Sequence, residues 1–201
     1  MVVAQRRHQY ERAFESFLRA RQIPYVAVNE ARKALLPDSA RLMVTAGEEH
    51  RSLKSFDFVI YGSGTNLLVE IKGRRLLAPA TTGTGRLESW VTLDDIESLR
   101  TWQVLFGFGF EPAFVFIYRC DAQPPDGLFQ EVFEFEGAWF VLRAALLEAY
   151  VGHMRTRSPR WRTVHLSKSD FERISHPFAP ARFGLEGDPG PGLPVFEPLP
   201  A

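Results

Sequence analysis

The sequence lacks several features that would assign it to a well-defined class of protein. It contains a single cysteine, Cys120, which excludes a disulfide scaffold and a zinc site built from cysteines. It has no run of about 18 apolar residues, so we expect no membrane-spanning helix. The 24 Lys and Arg residues balance the 24 Asp and Glu residues, which argues against binding of polyanions by bulk charge. The five histidines show no metal-ligand spacing.

The composition that remains is that of a folded chain with a substantial core. Of the 201 residues, 45% are hydrophobic and 24% are charged, which is typical of one sizeable domain. The start of the chain, Met1 to His8, turns polar too early for a secretory signal, so we expect a cytoplasmic protein without a membrane partner. Seven of the 14 prolines lie in residues 177–201, which predicts a Pro/Gly-rich tail after a single domain of residues 1–176.

The order of the predicted elements indicates an α/β fold, in which helices flank a mixed central β-sheet. Apolar residues recur every three or four positions in residues 5–21, which predicts a first helix. Thr92 and Asp95 form a capping box that opens a helix ending near Phe106. The predicted strands cover residues 56–61, 66–72, 113–119, 129–136 and 139–141. A last helix is expected over residues 142–154.

The strands at 56–61 and 66–72 form a predicted hairpin whose register follows from its turn. A turn centred on residues 63 and 64 pairs residues whose numbers sum to 127. The apolar pairs on one face are then Phe56 with Ile71, Phe58 with Val69, and Ile60 with Leu67. A shift of one residue would destroy this match, so the pattern favours the register strongly.

The other face of the same hairpin gathers charged residues. Asp57 falls opposite Glu70, and the Cα atom of Lys72 lies roughly 6.6 Å from that of Glu70. Adjacent carboxylates repel each other, and a divalent cation relieves the repulsion. Mg²⁺ prefers one or two carboxylates with water and phosphate oxygens, and the backbone carbonyl of Ile71 can complete its shell. Lys72 can then orient or deprotonate the attacking water, or stabilise the pentavalent charge.

The residue type at position 72 supports a specific role. Only four of the 24 basic residues are lysines, so a lysine at this position is a less expected choice for a random surface charge. A desolvated lysine changes its protonation state, whereas arginine in practice does not.

The pattern Asp57-x12-Glu70-x-Lys72 on a hairpin resembles the PD-(D/E)XK nuclease superfamily, which has the restriction-endonuclease-like fold. The resemblance covers about residues 5–119, and residues 120–176 form an extension without a counterpart in the motif. Phe56 replaces the proline of the family name, as the superfamily often allows. The resemblance implies a nuclease that hydrolyses phosphodiester bonds with Mg²⁺ or Mn²⁺, with DNA as the expected partner. RNA stays open as a substrate, and a homodimer is compatible with the family.

The resemblance also suggests a helper on the first helix. Archaeal Holliday-junction resolvases are similar in carrying a glutamate there, which makes Glu11 a candidate catalytic residue and metal ligand beside Asp57 and Glu70. The alternative is a solvated glutamate that pairs with Arg7. Gln103 lies on the apolar stripe of its helix, where it either contacts the substrate or is a hydrogen-bonded core residue.

Candidate nucleic-acid contacts lie in two basic stretches that contain no acidic residue, at 72–86 and 153–168. Trp161 is available there for stacking on a base. Solvated arginines are the alternative interpretation. The candidates are Arg74, Arg75, Arg86, Arg155, Arg157 and Arg160, together with Gln103.

Two other classes of function stay open on the sequence alone. A catalytically inactive nucleic-acid-binding or interaction module would keep the same fold, and zero net charge with thin basic coverage favours it. A structural protein that dimerises through residues 129–141 and the tail is the other reading.

Overall fold

A computed structural model describes residues 2–29, 43–46, 49–62, 65–76, 87–121, 123 and 131–178. The predictions for the turn at 63 and 64, for Arg86 and for the tail beyond residue 178 lie outside these residues. In the parts of the chain that are described, no helix combines the length and the hydrophobicity of a membrane span.

The described residues form four helices and twelve strands. The helices are α1 (Val2–Ala20), α2 (Leu93–Phe106), α3 (Leu147–His153) and α4 (Lys168–Ile174). The strands are β1 (Tyr25–Ala27), β2 (Met43–Ala46), β3 (Glu49–Ser52), β4 (Phe58–Ile60), β5 (Asn66–Leu76), β6 (Val91–Thr92), β7 (Phe110–Cys120), β8 (Val132–Phe135), β9 (Ala138–Leu146), β10 (Arg155–Ser158), β11 (Thr163–His165) and β12 (His176–Pro177).

Seven strands form one mixed sheet in the order β1-β4-β5-β7-β9-β12, and β8 also pairs with β9. β5 and β7 are parallel over their whole length, and the other neighbours are antiparallel. The strands β10, β11 and β6 form a second, smaller sheet, and β2 pairs with β3. The predicted α/β fold with a mixed central sheet flanked by helices is therefore confirmed.

The two faces of the large sheet are covered by different helices. The predicted stripe of α1 is confirmed, because Ala13, Phe14, Phe17 and Leu18 are buried in a core formed with one face. On the other face, α2, α3 and α4 bury residues such as Leu99, Tyr150 and Phe171. Successive residues of a strand point to opposite faces, so β5 contributes alternately to both cores.

The hairpin register is confirmed over the length of β4, where Phe58 pairs with Val69 and Ile60 with Leu67. The predicted pair of Phe56 and Ile71 is wrong, because the two residues lie in different cores. β4 begins only at Phe58, and the ring of Phe56 packs against Trp102 of α2 with ring centroids 5.3 Å apart.

The predicted helix over residues 142–154 is wrong in its first part. β9 continues to Leu146, and only α3 is helical. Residues 140–145 are all buried because β9 pairs with the central strand β7 and is covered on both faces. A continuous apolar run of this kind is shared by buried strands and buried helices, so periodicity alone does not distinguish them. The predicted pairing of 139–141 with the strand before it is confirmed by β8 and β9.

Candidate active site

β5 places Glu70 and Lys72 on the sheet face that α2 covers. The two side chains are two residues apart on one strand and point to the same side. Lys72 Nζ lies 2.8 Å from Glu70 Oε1, and Glu70 is buried. The predicted convergence of these two residues on one patch is thus present in the structure, and the ion pair joins them directly.

Asp57 reaches the same strand from the residue before β4. Its Oδ2 atom accepts a hydrogen bond from the backbone N–H of Ile71 at 2.7 Å, and the side chain is buried. The backbone N–H of Asp57 donates to the carbonyl oxygen of Val69 at 2.9 Å, a shift from the regular ladder. The carboxylate of Asp57 therefore lies against the peptide bond that joins Glu70 to Ile71.

Asp95 of α2 completes the cluster, although the sequence suggested only a capping role for it. The capping box with Thr92 is present, and Asp95 Oδ2 accepts from the backbone N–H of Thr92 at 3.0 Å. The same oxygen accepts from Lys72 Nζ at 2.6 Å. Burial opposes the charge on Asp95, but Lys72 and Lys54 outweigh it and hold the pKa of Asp95 well below its usual value.

Lys54 is the second residue that sequence reasoning missed. Its Nζ atom lies 3.1 Å from Glu70 Oε1 and also pairs with Asp95. Burial disfavours its charge, but the attraction of Glu70 and Asp95 is larger and raises the pKa of Lys54 above its usual value. The sequence does contain a signal for Lys54. Lysine is rare in this chain, with only four in total, and this one precedes Asp57 by three residues.

Lys54, Lys72, Glu70 and Asp95 form a closed ring, in which each lysine contacts both carboxylates. Among the described residues, no group of three or more His, Cys, Asp or Glu side chains is arranged to hold a metal ion. Asp57 instead accepts a hydrogen bond from the backbone N–H of Ile71, the residue that directly follows Glu70 in the chain. Two carboxylates suit Mg²⁺, which keeps water and phosphate oxygens in its shell, so the donor set fits the expected ion.

Glu11 lies on α1, which covers the opposite face of the sheet from Glu70 and Lys72. The preceding residue, Tyr10, fixes the crossing point, because its ring rests on Gly73 and its hydroxyl donates to the carbonyl oxygen of Arg74 at 2.9 Å. Glu11, the residue after Tyr10, is half-buried. Its role as a metal ligand stays a prediction.

Arg74 follows Lys72 on the same face of β5, but its guanidinium group is directed into the protein. It donates to the backbone carbonyl oxygens of Gly73 and Trp90, and it lies 4.1 Å from the ring centroid of Trp90. Burial lowers the pKa of Arg74. Arg157 of β10 contacts the same ring at 4.9 Å, so Trp90 links the strand of the candidate site to the second basic stretch.

The small sheet brings that basic stretch beside the start of α2. β11 pairs with β6, which runs directly into α2, and the backbone N–H of Leu93 donates to the carbonyl oxygen of Arg162 at 2.9 Å. Trp161 is 69% exposed, and Arg160 lies 5.3 Å from the centroid of its ring. The second stretch is therefore next to the helix that carries Asp95, which the sequence could not predict.

The remaining candidates are spread around the site. Arg75 pairs with Asp121 at 2.9 Å, and Arg155 lies 3.6 Å from Asp170. Gln103 is half-buried two turns beyond Asp95, about 12 Å further along the axis of α2. These residues stay candidate nucleic-acid contacts, and the structure does not bring Gln103 to the lysine–carboxylate ring.

No protein family model and no curated protein matches this chain. Among solved structures, the chain is similar to that of Hjc, a Holliday junction resolvase from the archaeal hyperthermophile Archaeoglobus fulgidus, with a TM-score of 0.46. The two sequences are 13% identical, and the match covers 86% of this chain and 91% of that chain.

Proposed function

We propose that this protein is a nuclease that hydrolyses phosphodiester bonds in DNA with Mg²⁺ or Mn²⁺ as its cofactor. The observation that carries the proposal is the position of Asp57, Glu70 and Lys72 around one stretch of β5. Glu70 and Lys72 share a sheet face, and Asp57 contacts the backbone between them. This is the residue set and the strand placement expected of the PD-(D/E)XK pattern.

In this proposal Asp57 and Glu70 hold the cation, together with the carbonyl oxygen of Ile71. The N–H of Ile71 points towards Asp57, and the N–H and C=O of one strand residue point to the same neighbour. When bound, the cation supplies a polarised water and neutralises charge on the phosphate. Lys72 is held by ion pairs to Glu70 and Asp95, and as a fixed cation it stabilises the negative charge of the transition state.

The direct test is cleavage of labelled duplex and single-stranded DNA by the purified protein with Mg²⁺ or Mn²⁺. We expect Lys72→Ala to lower the cleavage rate by about 100-fold or more, because one preorganised charge contact is lost. Arg173→Ala is the control, since Arg173 is exposed on α4 and lies outside both basic stretches. Equal rates for wild type and Lys72→Ala, with both proteins folded by circular dichroism, would exclude the catalytic role.

A second candidate function, a nucleic-acid-binding module without catalysis, is favoured by a specific observation. Lys54 and Lys72 already neutralise Glu70 and Asp95, so the charged ring is complete without a cation. The exposed Trp161 and the neighbouring Arg160 would then form the binding surface.

The two functions differ in measurable ways. A binding module would bind DNA with an affinity that falls steeply with salt, and it would leave the strand intact with every divalent ion tested. Trp161→Ala would weaken its binding, whereas Lys72→Ala would change binding little.

A further inference from the structure

Two lysines contact the same oxygen of the same buried glutamate. Lys72 Nζ lies 2.8 Å and Lys54 Nζ lies 3.1 Å from Glu70 Oε1. Four lysines occur in the whole chain, and half of them meet at this one carboxylate. The second lysine has no place in the Asp-x12-Glu-x-Lys pattern, so it requires its own explanation.

The two ammonium groups are held very differently. The Lys72 side chain is 11% exposed and rises from the middle of the long strand β5. The Lys54 side chain is 39% exposed and belongs to the segment between β3 and β4. Its backbone is fixed, because Trp102 Nε1 donates to the Lys54 carbonyl oxygen at 2.9 Å. The ammonium group of Lys54 can therefore change position by rotation about the side-chain bonds, while the backbone stays in place.

A divalent cation on Glu70 would compete with these ammonium groups. Like charges a few ångströms apart repel each other, and the repulsion is stronger where the site is buried. The Lys72 side chain has less exposed surface than that of Lys54, and its Nζ atom lies closer to Glu70 Oε1, so Lys54 is the group that can leave Glu70. Asp95 contacts Lys54 as well, so the ammonium group keeps one ion pair when it leaves Glu70.

We propose that Lys54 is a displaceable cation that occupies the metal-binding carboxylate Glu70 until a divalent ion replaces it. Once released, Lys54 stays near Asp95 and contacts a phosphate oxygen of the substrate. The inference rests on the proposed function, because it assumes that Glu70 binds the cation. It assigns one residue two successive partners, a carboxylate before the cation binds and a phosphate afterwards.

The first test measures binding of Mn²⁺ alone by isothermal titration calorimetry, without nucleic acid. We expect Lys54→Met to bind Mn²⁺ about tenfold more tightly than wild type, which corresponds to about 1.4 kcal/mol. Lys54→Arg keeps the positive charge, so its affinity should stay close to that of wild type. Lys168→Met removes an exposed lysine elsewhere, and it should leave the affinity unchanged.

The second test measures binding of a short labelled single-stranded DNA in saturating Ca²⁺ at several salt concentrations. Loss of one phosphate contact should weaken DNA binding by Lys54→Met severalfold and reduce the slope of log affinity against log salt by about 0.7. Tighter metal binding together with weaker DNA binding supports the proposal, since a merely structural role would not move the two in opposite directions.

Unchanged or weaker Mn²⁺ binding by folded Lys54→Met would overturn the proposal, and so would an absence of binding to both proteins. Tighter Mn²⁺ binding with unchanged DNA binding and salt slope would overturn the phosphate contact. None of these measurements needs cleavage. If the protein never cuts DNA, but Lys54→Met binds Mn²⁺ more tightly and DNA more weakly, the proposed nuclease activity is wrong and the role of Lys54 is supported. If the protein cuts DNA but Lys54→Met shows neither change, the nuclease activity is supported and the role of Lys54 is wrong.

Discussion

The two faces of β5 show how one strand can carry stability on one side and chemistry on the other. Towards α1, the strand presents Leu67, Val69, Ile71 and then Gly73, and the first three are buried in an apolar core. Towards α2, it presents Leu68 and then Glu70, Lys72 and Arg74. Over residues 67–74 only the α2 face carries charge, and each of its charged side chains finds partners at specific distances.

The difference between the faces lies in what fixes each position. An apolar contact is non-directional and tolerates any residue of similar volume. A buried ion pair needs a matched partner, because a single buried charge left alone is costly. The charged face is therefore specified by residues far away in sequence, Lys54 and Asp95, whereas the apolar face needs only bulk and alternation.

The largest effect on stability is expected on the apolar face. Phe14 of α1 is fully buried, and its ring packs against those of Phe58 and Phe178. We expect Phe14→Ala to lower the free energy of unfolding by about 3–5 kcal/mol, since burial and packing are both lost. Urea denaturation measures this change. Val104→Ala is the control, because Val104 is 81% exposed and should cost less than about 0.5 kcal/mol. Similar losses for the two variants would contradict the assigned core.

A smaller effect is expected where the apolar face has no side chain. A Cβ atom on Gly73 would lie 2.2 Å from a ring atom of Tyr10, so Gly73→Ala must displace the ring or α1. We expect a loss of about 1–3 kcal/mol in the free energy of unfolding.

Gly152→Ala provides the matched control for this close approach. Nothing lies within 4 Å of the position that its Cβ atom would take, and Gly152 is in α3. Alanine is preferred over glycine in a helix, so this variant should be unchanged or up to about 1 kcal/mol more stable. If both glycine variants behave alike, the contact between α1 and β5 at Tyr10 is not as described.

The smallest loss of stability at neutral pH is expected for a substitution on the charged face, and this loss depends on pH. The pKa of Asp95 is lowered in the folded protein, so the unfolded chain takes up this proton first as the pH falls below about 3.8. The stability that Asp95 contributes is present above that pH and is lost as the pH falls towards its folded pKa. We expect Asp95→Asn to cost about 1–2 kcal/mol near neutral pH, because solvent at Lys54 screens part of the attraction.

The difference between wild type and Asp95→Asn should shrink as the pH is lowered from about 5 to about 2, measured by chemical denaturation at each pH. Asp94→Asn is the control, since Asp94 is exposed and its contact with Arg162 at 3.4 Å lies at the surface. A constant difference across this pH range would show that the ion pairs of Asp95 contribute no stability.

Local patterns predicted much of the fold and part of the site. The stripe of α1, the capping box of α2 and the register of β4 against β5 each depend on residues a few positions apart, and all three are confirmed. Prediction failed at residues 142–146, where an apolar run is compatible with two structures and pairing with β7 selects the strand. The predicted pairing of Phe56 with Ile71 also failed, because the backbone N–H of Ile71 donates to the side chain of Asp57 and not to a backbone carbonyl of a regular ladder.

By itself, the sequence determined that Glu70 and Lys72 would lie close together, because residues two positions apart on one strand point to the same face of the sheet. Only the tertiary structure decided that Lys54 and Asp95 would join them. These residues lie 16 positions before and 25 positions after Glu70, and they come from a loop and from a helix end. Charges on separate elements have no periodicity that links them, so their convergence appears only once the sheet and α2 are packed together.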